Sequence, residues 1–198
     1  MLKQWETGQP ILAAASHPVP WAYVTGDRDI EEAEATLTDM GIVPSTVRII
    51  PAFGRDNKNF RQVMDAAAQL QPVPELLAIE GFTDLCERPE SRNVVREFMS
   101  SASAYCTARY REWPNGLTIV GVVESPKQKP HERYANPRQR ISGASAWGYH
   151  AQTVFVVEYL ESDKECLGPD RTLFVCRKQG KRLKIAGQFD SQNRLIFA

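Results

Sequence analysis

Short apolar runs alternate with amphipathic stretches over the first two thirds of the chain, and closely spaced β-type runs fill the last third. Trp21-Ala22-Tyr23-Val24-Thr25 is almost wholly apolar and stops at Gly26-Asp27, which predicts a strand buried on both faces. A helix is expected next. Asp29 stands where it can cap that helix, Glu31, Glu32 and Glu34 load its first turns where the dipole favours anions, and Gly41 stops it after Met40. Val47-Arg48-Ile49-Ile50 predicts a second strand, and Asn59 to Leu70 a second helix ended by Pro72 and Pro74. Leu76-Leu77-Ala78-Ile79 has the pattern of a parallel strand covered on both sides, and it runs into Glu80-Gly81. A long helix is expected from about Ser91 to Tyr110, then a turn at Pro114-Asn115-Gly116. A strand follows from Leu117 to Val123, ending at Glu124.

Three prolines and no periodicity make 125–140 a loop, and the small residues from Ser142 to His150 suggest a short helix. Thr153 to Leu160, Thr172 to Cys176, Leu183 to Ala186 and Leu195 to Phe197 are spaced as an antiparallel meander that would finish the sheet. The pattern predicts an α/β fold: a mostly parallel sheet flanked by helices, with a C-terminal antiparallel β-meander. Val63, Met64 and Ala67, the Phe98-Met99-Ala102 stripe and Trp147 are expected to pack in the interior rather than to hold a cofactor.

Composition narrows the class. The chain has 198 residues with 24 Lys plus Arg against 24 Asp plus Glu, so a wholly basic surface is excluded while a local basic patch is allowed. No apolar run approaches the ~18 residues of a membrane span, and Met1 to Glu6 lacks the apolar stretch of a signal peptide. Cys86, Cys106, Cys166 and Cys176 form no C-x-x-C pair, and His17, His131 and His150 stand at no zinc-ligand spacing from them. The expectation is a cytoplasmic protein with free thiols and no metal site.

Four segments, taken in order, resemble the RecA-type P-loop ATPase core, in particular the branch of RepA-like hexameric helicases and AAA-family ATPases. Thr7-Gly8-Gln9-Pro10-Ile11-Leu12 resembles the end of the helix after the P-loop. Ala22 to Asp27 resembles the strand whose terminal acid polarises the attacking water. Leu76 to Glu80 stands where the Walker B strand belongs, and Ile141 to Trp147 resembles the turn and helix beyond the sensor strand. The resemblance implies a single RecA-like domain over residues 1–198. Within it, 1–124 would be the α/β core, 125–152 a basic loop and short helix, and 153–198 the meander.

The departures from that pattern matter as much. There is no G-x-x-x-x-G-K-[ST] in the sequence, so the phosphate-cradling loop, its lysine and the strand before it have no counterpart. Glu80 replaces the Walker B Asp, and the sensor strand ends in Glu124 where a polar or neutral group is usual. One explanation is a degenerate, non-hydrolysing subunit that assembles with itself or with a RecA-like partner and associates with DNA in replication or recombination. The other is a fragment of an active DNA-dependent ATPase whose Walker A lies upstream. ATP and Mg²⁺ enter only through the resemblance; as the chain stands, no cofactor is expected. Loss of the P-loop strand should also leave unpaired backbone groups that something must meet, by self-association or by an altered strand order.

Asp27, Glu80 and Glu124 are each expected at the C-terminal end of a strand, the edge where open α/β sheets bind ligands. They are the candidate remnant of a catalytic site. Lys127, Lys129, Arg133, Arg138 and Arg140 cluster in the loop with Tyr134 among them, a pattern suited to tracking a single-stranded phosphate backbone and stacking a base. Arg177 and Lys178, beside an expected hairpin turn at Gln179-Gly180, are the candidate inter-subunit finger that the resemblance implies.

Overall fold

The computed structural model describes residues 18–26, 28–44, 47–52, 59–123, 146–159, 170–178, 183–189 and 195–197. They fall into two compact units, 1–124 and 125–198.

The first unit is built on a parallel sheet of β1 (Trp21–Thr25), β2 (Arg48–Pro51), β3 (Leu76–Ile79) and β4 (Thr118–Gly121), in the order β2-β1-β3-β4. Every residue of β1 and β3 is buried, as their uninterrupted apolar runs require. Helix α1 (Ile30–Asp39) starts where Asp29 accepts the Glu32 backbone N–H at 2.9 Å and ends before Gly41, whose φ of 70° only glycine adopts freely. Its apolar stripe, Ala33 and Leu37, packs with Ile42 and Val47 against Trp21, Tyr23, Leu76 and Ala78, one face of the sheet. Alternation along the strands turns Ala22, Val24, Leu77 and Ile79 to the opposite face.

Helix α2 (Phe60–Ala68) opens with a reciprocal capping box between Asn59 and Gln62, and buries Phe60, Val63, Met64 and Ala67. Helix α3 (Arg92–Tyr105) buries Val95, Ala102 and Tyr105. The two helices meet through rings: Phe60 lies 5.0 Å from Phe98 and 5.9 Å from Tyr105, centroid to centroid. The expected extension of α3 to Tyr110 does not occur. Cys106 ends the helix, Ala108 takes a left-handed φ of 57°, and Tyr110 turns back to stack on Tyr105 at 4.0 Å. Trp113 then ties the following turn to the segment before β3 by donating from Nε1 to the Pro74 carbonyl at 2.7 Å.

Among the described residues the sheet ends at β4. The N–H groups of Thr118 and Val122 donate to the Glu75 and Ile79 carbonyls, so those of Leu117 and Ile119 point to the other edge. Leu117 donates to the Tyr105 carbonyl at 3.0 Å, and the Ile119 N–H is directed at the Cys106 sulfur. The end of α3 therefore caps the first half of this edge and meets backbone groups that would otherwise lack a strand. Packing around the sulfur raises the Cys106 thiol above its ordinary pKa, and the Ile119 N–H opposes that rise.

The second unit contains α4 (Ala146–His150), with Trp147 buried, and the strands β5 (Thr153–Tyr159), β6 (Asp170–Arg177), β7 (Leu183–Phe189) and β8 (Leu195–Phe197). The strands form an antiparallel meander in chain order. This corrects one expectation. The meander does not finish the parallel sheet; among the described residues its strands pair with one another in a sheet of their own. Each strand pairs with its neighbour in the chain, so the meander is completed by sequence-adjacent pairings without entering the parallel ladder.

Candidate functional site

The C-terminal ends of β1 and β3 meet closely enough to define the site. The Glu80 N–H donates to the Val24 carbonyl at 2.9 Å, continuing the ladder that pairs Val24 with Ile79. Beyond it the backbones touch. A Cβ built on Gly26 would sit 2.1 Å from the Glu80 carbonyl oxygen, and one on Gly81, at φ +60°, would lie 2.7 Å from Asp84 Oδ2. Both turns require glycine, one for space and one for conformation as well.

This junction fixes Glu80 on the α1 face of the sheet, on the same side as Tyr23 by the alternation of both strands. The Tyr23 hydroxyl donates to Glu80 Oε2 at 2.8 Å, and Arg28 Nη2 stands 2.5 Å from Glu80 Oε1. Arg28 also donates from Nη1 to Thr36 Oγ1 on α1 at 2.8 Å, and the Thr36 hydroxyl in turn donates to the Glu32 carbonyl. The buried Thr25 hydroxyl donates to the Arg28 carbonyl and so holds the loop that aims Arg28 inward. The Glu80 side chain is 14% exposed and that of Arg28 31%, which makes this a half-shielded, charge-assisted pair.

The chemistry of the arrangement follows from these contacts. Both carboxylate oxygens of Glu80 already accept from a cationic or hydroxyl donor. A divalent cation or a polarised water at Glu80 would have to compete with the Arg28 guanidinium for the carboxylate. The start of α1 is no better suited to a phosphate. Asp29 occupies one of its free N–H groups, and Glu31 and Glu32 add negative charge in the first turn. On the other face, the buried Phe82 ring packs against Gly121 at the end of β4, where an added Cβ would come within 2.5 Å of it.

Of the other candidates, Asp27, Glu124, Lys127, Lys129, Arg133, Tyr134, Arg138 and Arg140 lie outside the described residues, as does the turn at 179–180. Arg177 closes β6 opposite Thr153; Lys178 follows it, exposed, with its backbone N–H donating to the Gln152 carbonyl at 2.8 Å. Arg28, Tyr23 and Thr36 were absent from the sequence-derived candidates. The available sign was an arginine set between two acids, Asp27-Arg28-Asp29, immediately after a strand end, with a tyrosine two residues inside that strand on its acid-bearing face.

A solved structure supplies the comparison that decides the fold. The chain matches the KaiC-like protein PH0186 from the hyperthermophilic archaeon Pyrococcus horikoshii with a TM-score of 0.52 and 12% identity, over 90% of this chain and 76% of that one. The fold is RecA-like. A parallel sheet flanked by helices and followed by an antiparallel sheet is thus established both by the strand pairing and by this neighbour. No protein-family model matches the sequence, and none of the curated proteins does. Among the described residues no helix is long and apolar enough to cross a membrane.

Proposed function

We propose that this RecA-like chain is a non-hydrolysing subunit that associates with DNA, and assembles with itself or a RecA-like partner, in replication or recombination in the cytoplasm. The observation that carries the reading is the Arg28–Glu80–Tyr23 cluster. The carboxylate at the end of the central strand, which a RecA-like ATPase would use beside Mg²⁺ and ATP, is here committed to an ion pair and a hydroxyl. The absence of a G-x-x-x-x-G-K-[ST] segment from the sequence points the same way. The competing reading is a fragment of a DNA-dependent ATPase whose phosphate-binding loop lies on another segment. The position of Glu80 at a strand's C-terminal end favours it, but the Arg28 guanidinium would compete with a metal there.

The DNA half of the proposal rests on the run of basic residues from Lys127 to Arg140 in the sequence. Five cations engaging single-stranded phosphates give a log–log salt slope of roughly −3, and replacing Lys127, Lys129 and Arg133 with Ala flattens it by about 2 units. Tyr134→Ala weakens binding by about 1–3 kcal/mol with the slope unchanged, because stacking releases no counterions. Fluorescence anisotropy with a labelled oligonucleotide over a salt series measures both. Absence of binding at low salt removes DNA from the reading and leaves an assembly subunit.

A further inference from the structure

Strand β5 is an outer strand of the meander and pairs with β6 on one side only among the described residues. Its pairing phase fixes which groups face outward. Lys178 donates to the Gln152 carbonyl, so 152 and 178 form a hydrogen-bonded pair, and 154, 156 and 158 continue that phase along the ladder. The N–H and C=O groups of 153, 155, 157 and 159 therefore point away from β6. None of them has a described partner. Two of the chain's exposed large apolar side chains stand on this same edge strand and share a face: Phe155, 42% exposed, and Val157, 48% exposed.

Protected edges carry lysines, prolines or bulges. Thr153-Val154-Phe155-Val156-Val157-Glu158-Tyr159 has no lysine and no proline, and its ladder to β6 runs in unbroken register over all seven residues. We infer that β5 is an interface between two copies of this chain, which pair antiparallel through this edge and join two meanders into one continuous sheet. The occupant follows from the symmetry of the strand. A two-fold axis at Val156 sets 155 against 157 of the second copy and 153 against 159. All four outward-facing residues then form hydrogen-bonded pairs across the full length of the strand. Phe155 and Val157 are covered in the same register, as an aromatic–β-branched cross-strand pair made twice. In this register the strand's single acid, Glu158, stands opposite Val154. Sliding the register by two residues gives up outward pairs at both ends.

This inference rests on the self-association half of the proposed function and is independent of DNA. The full chain should sediment as a concentration-dependent dimer from about 1 to 100 µM. Val157→Lys, which sets a charge on an already exposed position, should weaken the dimer at least about tenfold with the circular dichroism spectrum unchanged. Val156→Cys gives an independent reading. At the two-fold axis the paired Cα atoms of a non-hydrogen-bonded pair lie about 4.5 Å apart, within disulfide reach. Mild oxidation should then yield a covalent dimer that neither the parent chain nor Thr153→Cys forms. A dimer untouched by Val157→Lys, with Val156→Cys linking no faster than the parent, overturns this surface and leaves self-association standing. A monomer throughout the concentration range overturns both, and assigns the edge to a different chain or segment.

Discussion

Gly26→Ala is expected to cost about 3–4 kcal/mol of folding stability, because its one methyl group has nowhere to go. The added Cβ would lie 2.1 Å from the Glu80 carbonyl oxygen, 3.0 Å from the carbonyl carbon and 3.2 Å from Gly81 Cα. All three are backbone atoms at the junction of two fully buried strands, so no rotamer change relieves the contact. β1 and β3 must separate, which stretches the Glu80 N–H to Val24 carbonyl bond and disturbs the aim of Arg28. Gly121→Ala is the control. Its Cβ meets side-chain atoms only, Phe82 Cγ at 2.5 Å and Cβ at 2.8 Å. The ring is buried beside Phe60 and Phe98 and must move with them, so the loss should be about 2–3 kcal/mol, still below that at the backbone contact. Urea unfolding followed by tryptophan fluorescence measures the order of the two, with Trp21 and Trp113 buried in this unit as reporters. Equal losses would show that the strand junction is looser than described.

The Arg28–Glu80 pair carries the second large effect. Arg28→Met leaves a carboxylate that is 14% exposed with Tyr23 as the hydrogen-bond donor described for it, and removes the bond to Thr36. The expected cost is about 2–3 kcal/mol, below that of a fully buried pair because the guanidinium is partly solvated. Glu80→Gln keeps the acceptor for Tyr23 but loses the charge, and should cost about 1–2 kcal/mol. If the pair acts as a unit, the double variant costs clearly less than the sum of the single ones, with a coupling of about 1–2 kcal/mol. Additive losses would mean that Arg28 and Glu80 act separately, and the neutralised-site reading would lose its physical basis.

The order of elements was legible because each carries a strong local signature. The all-apolar β1 and β3, the Asp29 and Asn59 caps and the stop at Gly41 required no tertiary information. The end of α3 was not legible, since residues 106–110 look helical until Tyr110 folds back onto Tyr105, a contact that exists only in the tertiary structure. The separation of the two sheets was hidden for a related reason. Strand-forming propensity is a property of a segment, whereas membership of a sheet depends on which edge is open. Glu80 was visible from its place after Ile79. Its neutralisation by Arg28 was not, because that contact depends on a loop held by the Thr25 hydroxyl and by Thr36, eight residues further along the chain.

Mg²⁺-dependent ATP turnover is the most direct test of the neutralised site, measured on the full chain beside Glu80→Gln and Arg28→Ala. Phosphoryl transfer depends on positioned donors and a metal at the strand ends, and here the one described acid at that position is held by a guanidinium. No hydrolysis above background is expected in any of the three proteins, including Arg28→Ala, since freeing Glu80 supplies neither a phosphate-binding lysine nor its loop. Turnover by the parent chain that requires Mg²⁺ and disappears in Glu80→Gln would contradict the neutralised-site reading.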